Sequence, residues 1–132
     1  RIDGKGDATD THIVWRLRKG APNKPSPVLH NGHLYTVTDG GVASCIHPKT
    51  GEVIWQARIG GEYSASLLLS KGNIYCFDQG GTCLVFQANP KEFKQVSKSK
   101  LDDGFMSSPA VLLNSLILRT KTHLYRIQKK GK

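Results

Sequence analysis

Residues 27–59 read PVLHNGHLYTVTDGGVASCIHPKTGEVIWQARI. Every apolar run in this stretch is short, rich in Val, Ile, Tyr and Thr, and closed by Gly, Asn, Asp or Pro. That is strand patterning, because β-branched and aromatic side chains suit a pleated surface while Gly and Asn supply the turns. Turns at Asn31-Gly32, at Asp39-Gly40-Gly41 and in HPKTGE (47–52) divide the stretch into four antiparallel strands. The fourth runs from Val53 to Ile59 and carries Trp55. The run LYTV (34–37) is apolar in both alternations, so it needs cover on both faces.

The same order of signals recurs downstream. With Pro27, Ser66 and Pro109 in register, three segments align with starts 39 and 43 residues apart. The first turn recurs at Lys71-Gly72 and Asn114-Ser115, and the second at Gln79-Gly80-Gly81 and, shortened, at Lys121-Thr122. IYCF (74–77) and CLVF (83–86) repeat the two-faced apolar runs. A weaker fourth strand is expected over Phe93–Val96, and the third copy stops before its own. Upstream, Ile13, Trp15 and Leu17 fall on one face with Arg16 and Arg18 on the other, which predicts a further strand. Four strands at a period near forty describe a β-propeller blade. An immunoglobulin-like sandwich also uses short strands, yet it has no need of one turn chemistry three times in one order.

The chain thus reads as all-β, a partial propeller of three four-stranded blades counted over twelve strands. Residues 1–132 form one domain: an arm at 1–12, an outer strand at 13–19, blades at 25–61 and 63–101, and an incomplete blade at 105–128. The absence of an initiating Met suggests a processed or excised piece, and no apolar run approaches the length of a bilayer span.

These residues resemble the repeats of pyrroloquinoline-quinone-type (PQQ-like) β-propellers. Pro27, Gly32, Tyr35, Asp39, Gly40, Thr50, Gly51, Glu52 and Trp55 carry the likeness in the first copy, and the other two follow it in outline. The opening GDATDTHIVWRLRKGAPNKPSP (6–27) and the closing RTKTHLYRI (119–127) look like the last blades of bacterial members common in planctomycetes, a group with which BamB-like propellers share their repeat. The resemblance implies a blade-docking role for Thr50, Gly51, Glu52 and Trp55, and for Trp15 in the strand before the first blade. In this role the indole lies between blades and its N–H meets a neighbour's backbone.

The resemblance implies no catalytic, cofactor-binding or metal residue here. Quinoprotein dehydrogenases hold PQQ with a vicinal cysteine pair and a Ca²⁺ ligated by Glu, Asn and Asp, whereas Cys45, Cys76 and Cys83 are never adjacent. Centring the second hairpin on Gln79-Gly80 sets Cys76 opposite Cys83, as a buried pair of thiols or as a disulfide. Cys45-x-His47 has no second ligand pair at metal spacing. The five histidines lack a neighbouring nucleophile motif, and Gly4-x-Gly6 lacks the third glycine of a phosphate loop.

Nineteen Lys and Arg against ten Asp and Glu give a net charge of +9. Basic residues cluster at Arg16, Arg18, Lys19 and Lys24 and at Lys91, Lys94, Lys98 and Lys100. Aromatic residues do not interleave with the lysines, so no nucleic-acid partner is expected. The reading is a non-catalytic scaffold or protein-interaction platform, periplasmic or extracytoplasmic, with its binding surface on loops such as Gly60-Gly61-Glu62 and Asp102-Asp103-Gly104. The alternative is a quinoprotein-type enzyme or a propeller binding a small ligand, which would require PQQ with calcium. Pairing the lone first strand with the incomplete last blade of a second copy would close a twofold, six-bladed ring, so a homodimer is expected.

Overall fold

The computed structural model describes residues 3–128, all of whose regular elements are strands. The first sheet contains β1 (Val28–His30), β2 (His33–Val37), β3 (Val42–Ile46) and β4 (Val53–Arg58). The second contains β5 (Leu68–Ser70), β6 (Asn73–Phe77), β7 (Thr82–Gln87) and β8 (Gln95–Lys100). The third contains β9 (Ala110–Leu112), β10 (Ser115–Arg119) and β11 (Leu124–Gln128). Each is an antiparallel meander with neighbours in chain order, and the three stack as consecutive blades of a partial β-propeller. No helix among the described residues is long and apolar enough to cross a membrane.

The two-faced apolar strands do what their patterning requires. Tyr35, Val37, Ala43 and Cys45 of the first sheet meet Ile74, Cys76, Leu84 and Phe86 of the second in one buried cluster. The opposite face of the second sheet offers Phe77 to Phe105, with ring centroids 5.1 Å apart, and Leu118 of the third sheet completes this second cluster. The sheets come together along their first strands. Ser26 N–H donates to Ser66 Oγ at 3.1 Å, and Ser66 N–H donates to Ser108 Oγ at 3.1 Å. This ladder of serines, one per blade, marks the inner side of the fan, while β8 on the outer side is exposed along its whole length.

Four details depart from the sequence reading. Residues 13–17 form no strand: Trp15 lies over the turn between β3 and β4, and the segment has no ladder partner among the described residues. Alternation makes a strand only where an open sheet edge lies alongside. The structure therefore holds eleven strands, with three in the last sheet. The fourth strand of the second sheet is Gln95–Lys100 rather than Phe93–Val96, because Phe93 turns inward to pack on Trp55 and Phe86. The first turn of the third sheet is Leu113-Asn114, one residue early, with Leu113 at φ 53°.

The register of the hairpins supplies the fourth correction. Cys76 pairs with Leu84 and Cys83 with Phe77, so the two cysteines stand on opposite faces of the sheet rather than opposite each other. The turn holds three residues, Gln79, Gly80 and Gly81, with Gly81 at φ 92°. An odd loop of this kind moves the pairing by one position. The first hairpin does the same, setting Thr36 against Ser44.

That register leaves Thr36 Oγ1 buried and without a hydrogen-bond partner among the described residues. Thr36→Val keeps the shape and removes the unmet hydroxyl. It is expected to stabilise the fold by about 1 kcal/mol, read as a higher urea midpoint at unchanged slope.

Candidate functional site at the loop end of the sheets

Two indoles fasten successive parts of the chain in the same way. Trp55 Nε1–H donates to Asn89 O in the second sheet's last turn, at 2.9 Å. Trp15 Nε1–H donates to Pro48 O in the equivalent turn of the first sheet, at 2.7 Å. Gly51, at φ 74°, lies directly beneath the Trp15 ring, and a Cβ there would press into the indole. Thr50 Oγ1 accepts from Glu52 N–H at 3.3 Å and bonds His47 Nδ1 at 3.1 Å, closing the turn on which Trp15 rests. Glu52 contributes its carbonyl to His47 N–H at 2.8 Å, and its side chain is exposed.

The three cysteines are free thiols. Cys45 and Cys76 are buried between the first two sheets, and burial pushes both thiols up. Burial also raises Cys83, to about 11, against the opposing effect of its bond with Ser99. All three are protonated at neutral pH and poor nucleophiles.

The opposite end of the stack collects the polar chemistry. Here the turns between second and third strands meet the connectors that lead from one sheet to the next. Gly41 and Gly81 occupy equivalent turn positions, and each carbonyl accepts from a connector. Ile59 N–H donates to Gly41 O at 2.9 Å, and Leu101 N–H donates to Gly81 O at 2.9 Å. The connectors then grip the next sheet: Gln79 N–H donates to Glu62 O at 2.8 Å, and Lys121 N–H donates to Gly104 O at 3.2 Å. The loops are thus set by backbone bonds.

Three carboxylates on this end are held by backbone amides. Asp39 Oδ1 accepts from Asn23 N–H at 2.7 Å and Lys24 N–H at 3.3 Å. Asp103 Oδ2 accepts from both the N–H and the Oγ1–H of Thr122, at 2.8 and 2.6 Å, while Oδ1 accepts from Gly104 N–H at 2.8 Å. The Thr122 hydroxyl leads the bonds that hold the Asp103 carboxyl down at about 2. Asp78, 7% exposed, accepts at Oδ1 from Gly80 N–H at 2.9 Å and Thr82 N–H at 2.7 Å. Beside Asp78 lies an open depression of about 400 Å³ lined by Gly61, Glu62, Asp78, Gln79, Gly80 and Lys121.

Two of the three thiols are sealed in the core between sheets, and Asp39 and Asp103 are committed to backbone amides and to Thr122. No group of three His, Cys, Asp or Glu side chains is placed to hold a metal among the described residues.

The sequence profile of the family described as outer membrane protein assembly factor BamB matches residues 5–92. The chain belongs to this family of PQQ-like propellers. No curated relative matches the sequence. Among solved structures, a europium-containing methanol dehydrogenase is 15% identical over 80% of this chain and 22% of its own, with a TM-score of 0.64. The quinohemoprotein alcohol dehydrogenase of Comamonas testosteroni is 20% identical over 75% of this chain and 17% of its own, at 0.59. BamB of Moraxella catarrhalis is 13% identical over 71% of this chain and 28% of its own, at 0.57. This PQQ-like chain thus spans less than a third of the length of each. At these identities the likeness is one of fold, and a fold shared by enzymes and assembly factors does not choose between them.

The loop end was legible in part. Glu62 and Asp103 fall in the connectors singled out from sequence, whereas Gln79 and Lys121 read as ordinary turn residues and Asp78 stands just before such a turn. Setting Asp78 beside Thr38 and Thr120, its counterparts in the other repeats, was the available signal.

Proposed function

We propose that this chain is part of a non-catalytic, extracytoplasmic PQQ-like propeller whose loop end is a protein-interaction platform. The observation that carries the reading is the convergence of the 60–62 and 102–104 connectors with the 78–81 and 120–123 turns, tied together through backbone groups. Such a surface is preorganised, so a partner meets fixed positions and little loop entropy is lost on binding. The family's description as an assembly factor supports the same direction. Self-association belongs to this proposal as well: segment 13–17 and the free edge of β11 both lack ladder partners among the described residues, and each is of the right kind to pair with the other's copy.

Two measurements test the platform. A photo-crosslinking residue at exposed Asp102 is expected to capture a discrete protein partner in extracts of the source cells, and one at exposed Lys49, beside the opposite end, is expected not to. Titration with PQQ and Ca²⁺ is expected to move neither the melting temperature nor the cofactor's absorbance. Binding of PQQ at micromolar concentration overturns the reading in favour of a quinoprotein-type enzyme.

A further inference from the structure

We infer that the depression between the second and third sheets is a socket for a guanidinium or ammonium group at the tip of a partner protein's side chain. The inference rests on the platform reading and adds the chemistry of one contact.

The three repeats provide an internal comparison. Thr38, Asp78 and Thr120 occupy the same place at the end of each second strand, and each donates its N–H across the turn at 2.9 Å. Their side chains perform one shared task, accepting from an amide on the far side of that turn. Thr38 Oγ1 accepts from Val42 N–H at 3.0 Å, Thr120 Oγ1 from His123 N–H at 3.1 Å, and Asp78 Oδ1 from Thr82 N–H at 2.7 Å. A neutral threonine therefore suffices for the turn. Only in the second sheet does a carboxylate stand there; its Oδ1 takes one further bond, from Gly80 N–H, and it brings a second oxygen that the turn does not use.

That second oxygen is unspent. Asp78 is 7% exposed, yet its Oδ2 has no hydrogen-bond or ion-pair partner among the described residues. It faces Gly61, where a Cβ would stand 2.7 Å away, and both residues line the depression. Gly61 thus leaves open the approach to Oδ2. Oδ2 is thus an unpartnered carboxylate oxygen that a cation entering the depression can reach, and a charged acceptor of this kind makes the stronger, charge-assisted bonds.

The rest of the lining adds acceptors. Gln79 Nε2–H donates to Ser64 Oγ at 2.9 Å, which leaves the amide oxygen of Gln79 available. Glu62 places a second carboxylate on the rim. Lys121, on the wall from the third sheet, makes no ion pair with either carboxylate among the described residues. In a chain of net charge +9, the depression carries two carboxylates to one ammonium, a local reversal of sign. A planar guanidinium matches it best, since it donates along fixed directions to several oxygens at once.

The test uses the ¹⁵N-labelled chain titrated with N-acetylarginine amide, and with the citrulline analogue as its neutral isostere. Saturable shifts are expected at the Gly61, Gly80 and Thr82 amides with arginine and not with citrulline. Asp78→Thr, the residue the sister repeats already use, should keep the fold while giving up the Gly80 bond, and should weaken arginine binding by about tenfold, as loss of a charge-assisted bond does. Lys121→Gln should tighten it by removing the competing ammonium. Should Asp78→Thr fail to fold, Glu62→Gln against Lys121→Gln gives the same opposite-signed pair. Equal shifts with citrulline, or undiminished arginine binding by Asp78→Thr, overturn the socket. A partner still captured through Asp102 in that event would leave the platform standing, so the two failures are distinct.

Discussion

Trp55→Ala is expected to destabilise the fold by about 3–5 kcal/mol, the usual cost of emptying a large aromatic site. The indole is surrounded by Tyr35 at 6.2 Å, Phe86 at 6.2 Å and Phe93 at 5.8 Å between ring centroids, two of the three edge-on. These rings come from both the first and second sheets, so truncation opens a cavity across the joint rather than within one blade. The lost bond to Asn89 O leaves a carbonyl unmet in a part-buried turn. Trp55→Phe separates the two contributions, since it keeps most of the ring packing and loses the bond, and should cost about 1–2 kcal/mol. Urea unfolding followed by circular dichroism measures both. If Trp55 served a surface ligand instead of the joint, Trp55→Ala would unfold at nearly the wild-type midpoint.

Gly81→Ala should be comparably damaging through a different mechanism. Gly81 sits at φ 92°, and a Cβ built there would overlap the carbonyl oxygen of Leu101, with Asp103 O a further 2.8 Å contact. The left-handed backbone costs an alanine roughly 1–2 kcal/mol, and forcing atoms into a filled space adds about 1–3 kcal/mol. A loss of about 2–5 kcal/mol is therefore expected, with the connector at 101–104 displaced from the turn. Because Leu101 N–H donates to Gly81 O, the same change loosens the grip of the second sheet on the third. Amide exchange at Leu101 and Phe105 should accelerate beyond the global change. Gly40→Ala is the control, since a Cβ there meets nothing within 4 Å and its φ is not positive. Equal stability of the two variants would refute the close Gly81–Leu101 contact as a joint between the sheets.

The outcome of reading the chain residue by residue divides along a physical line. Strand character, the forty-residue repeat and the turn chemistry at Asn31-Gly32 and Gly80-Gly81 are written in short windows, because backbone preference and alternation act between near neighbours. The serine at the head of each repeat is equally visible, although its ladder from Ser26 through Ser66 to Ser108 is not, since each rung joins residues about forty positions apart. Pairing register lay beyond reach for a related reason. One extra turn residue moves Cys76 from Cys83 to Leu84, and whether the loop holds two or three residues depends on how Gly81 meets the connector behind it. Segment 13–17 has the alternation of a strand and lacks a neighbouring edge, so its local pattern goes unused. Asp78 shows the same division within a single side chain. Its sequence position fixes the capping of the turn by Oδ1, while the freedom of Oδ2 follows from Gly61, Glu62 and Lys121, which only the stacking of separate sheets places around it.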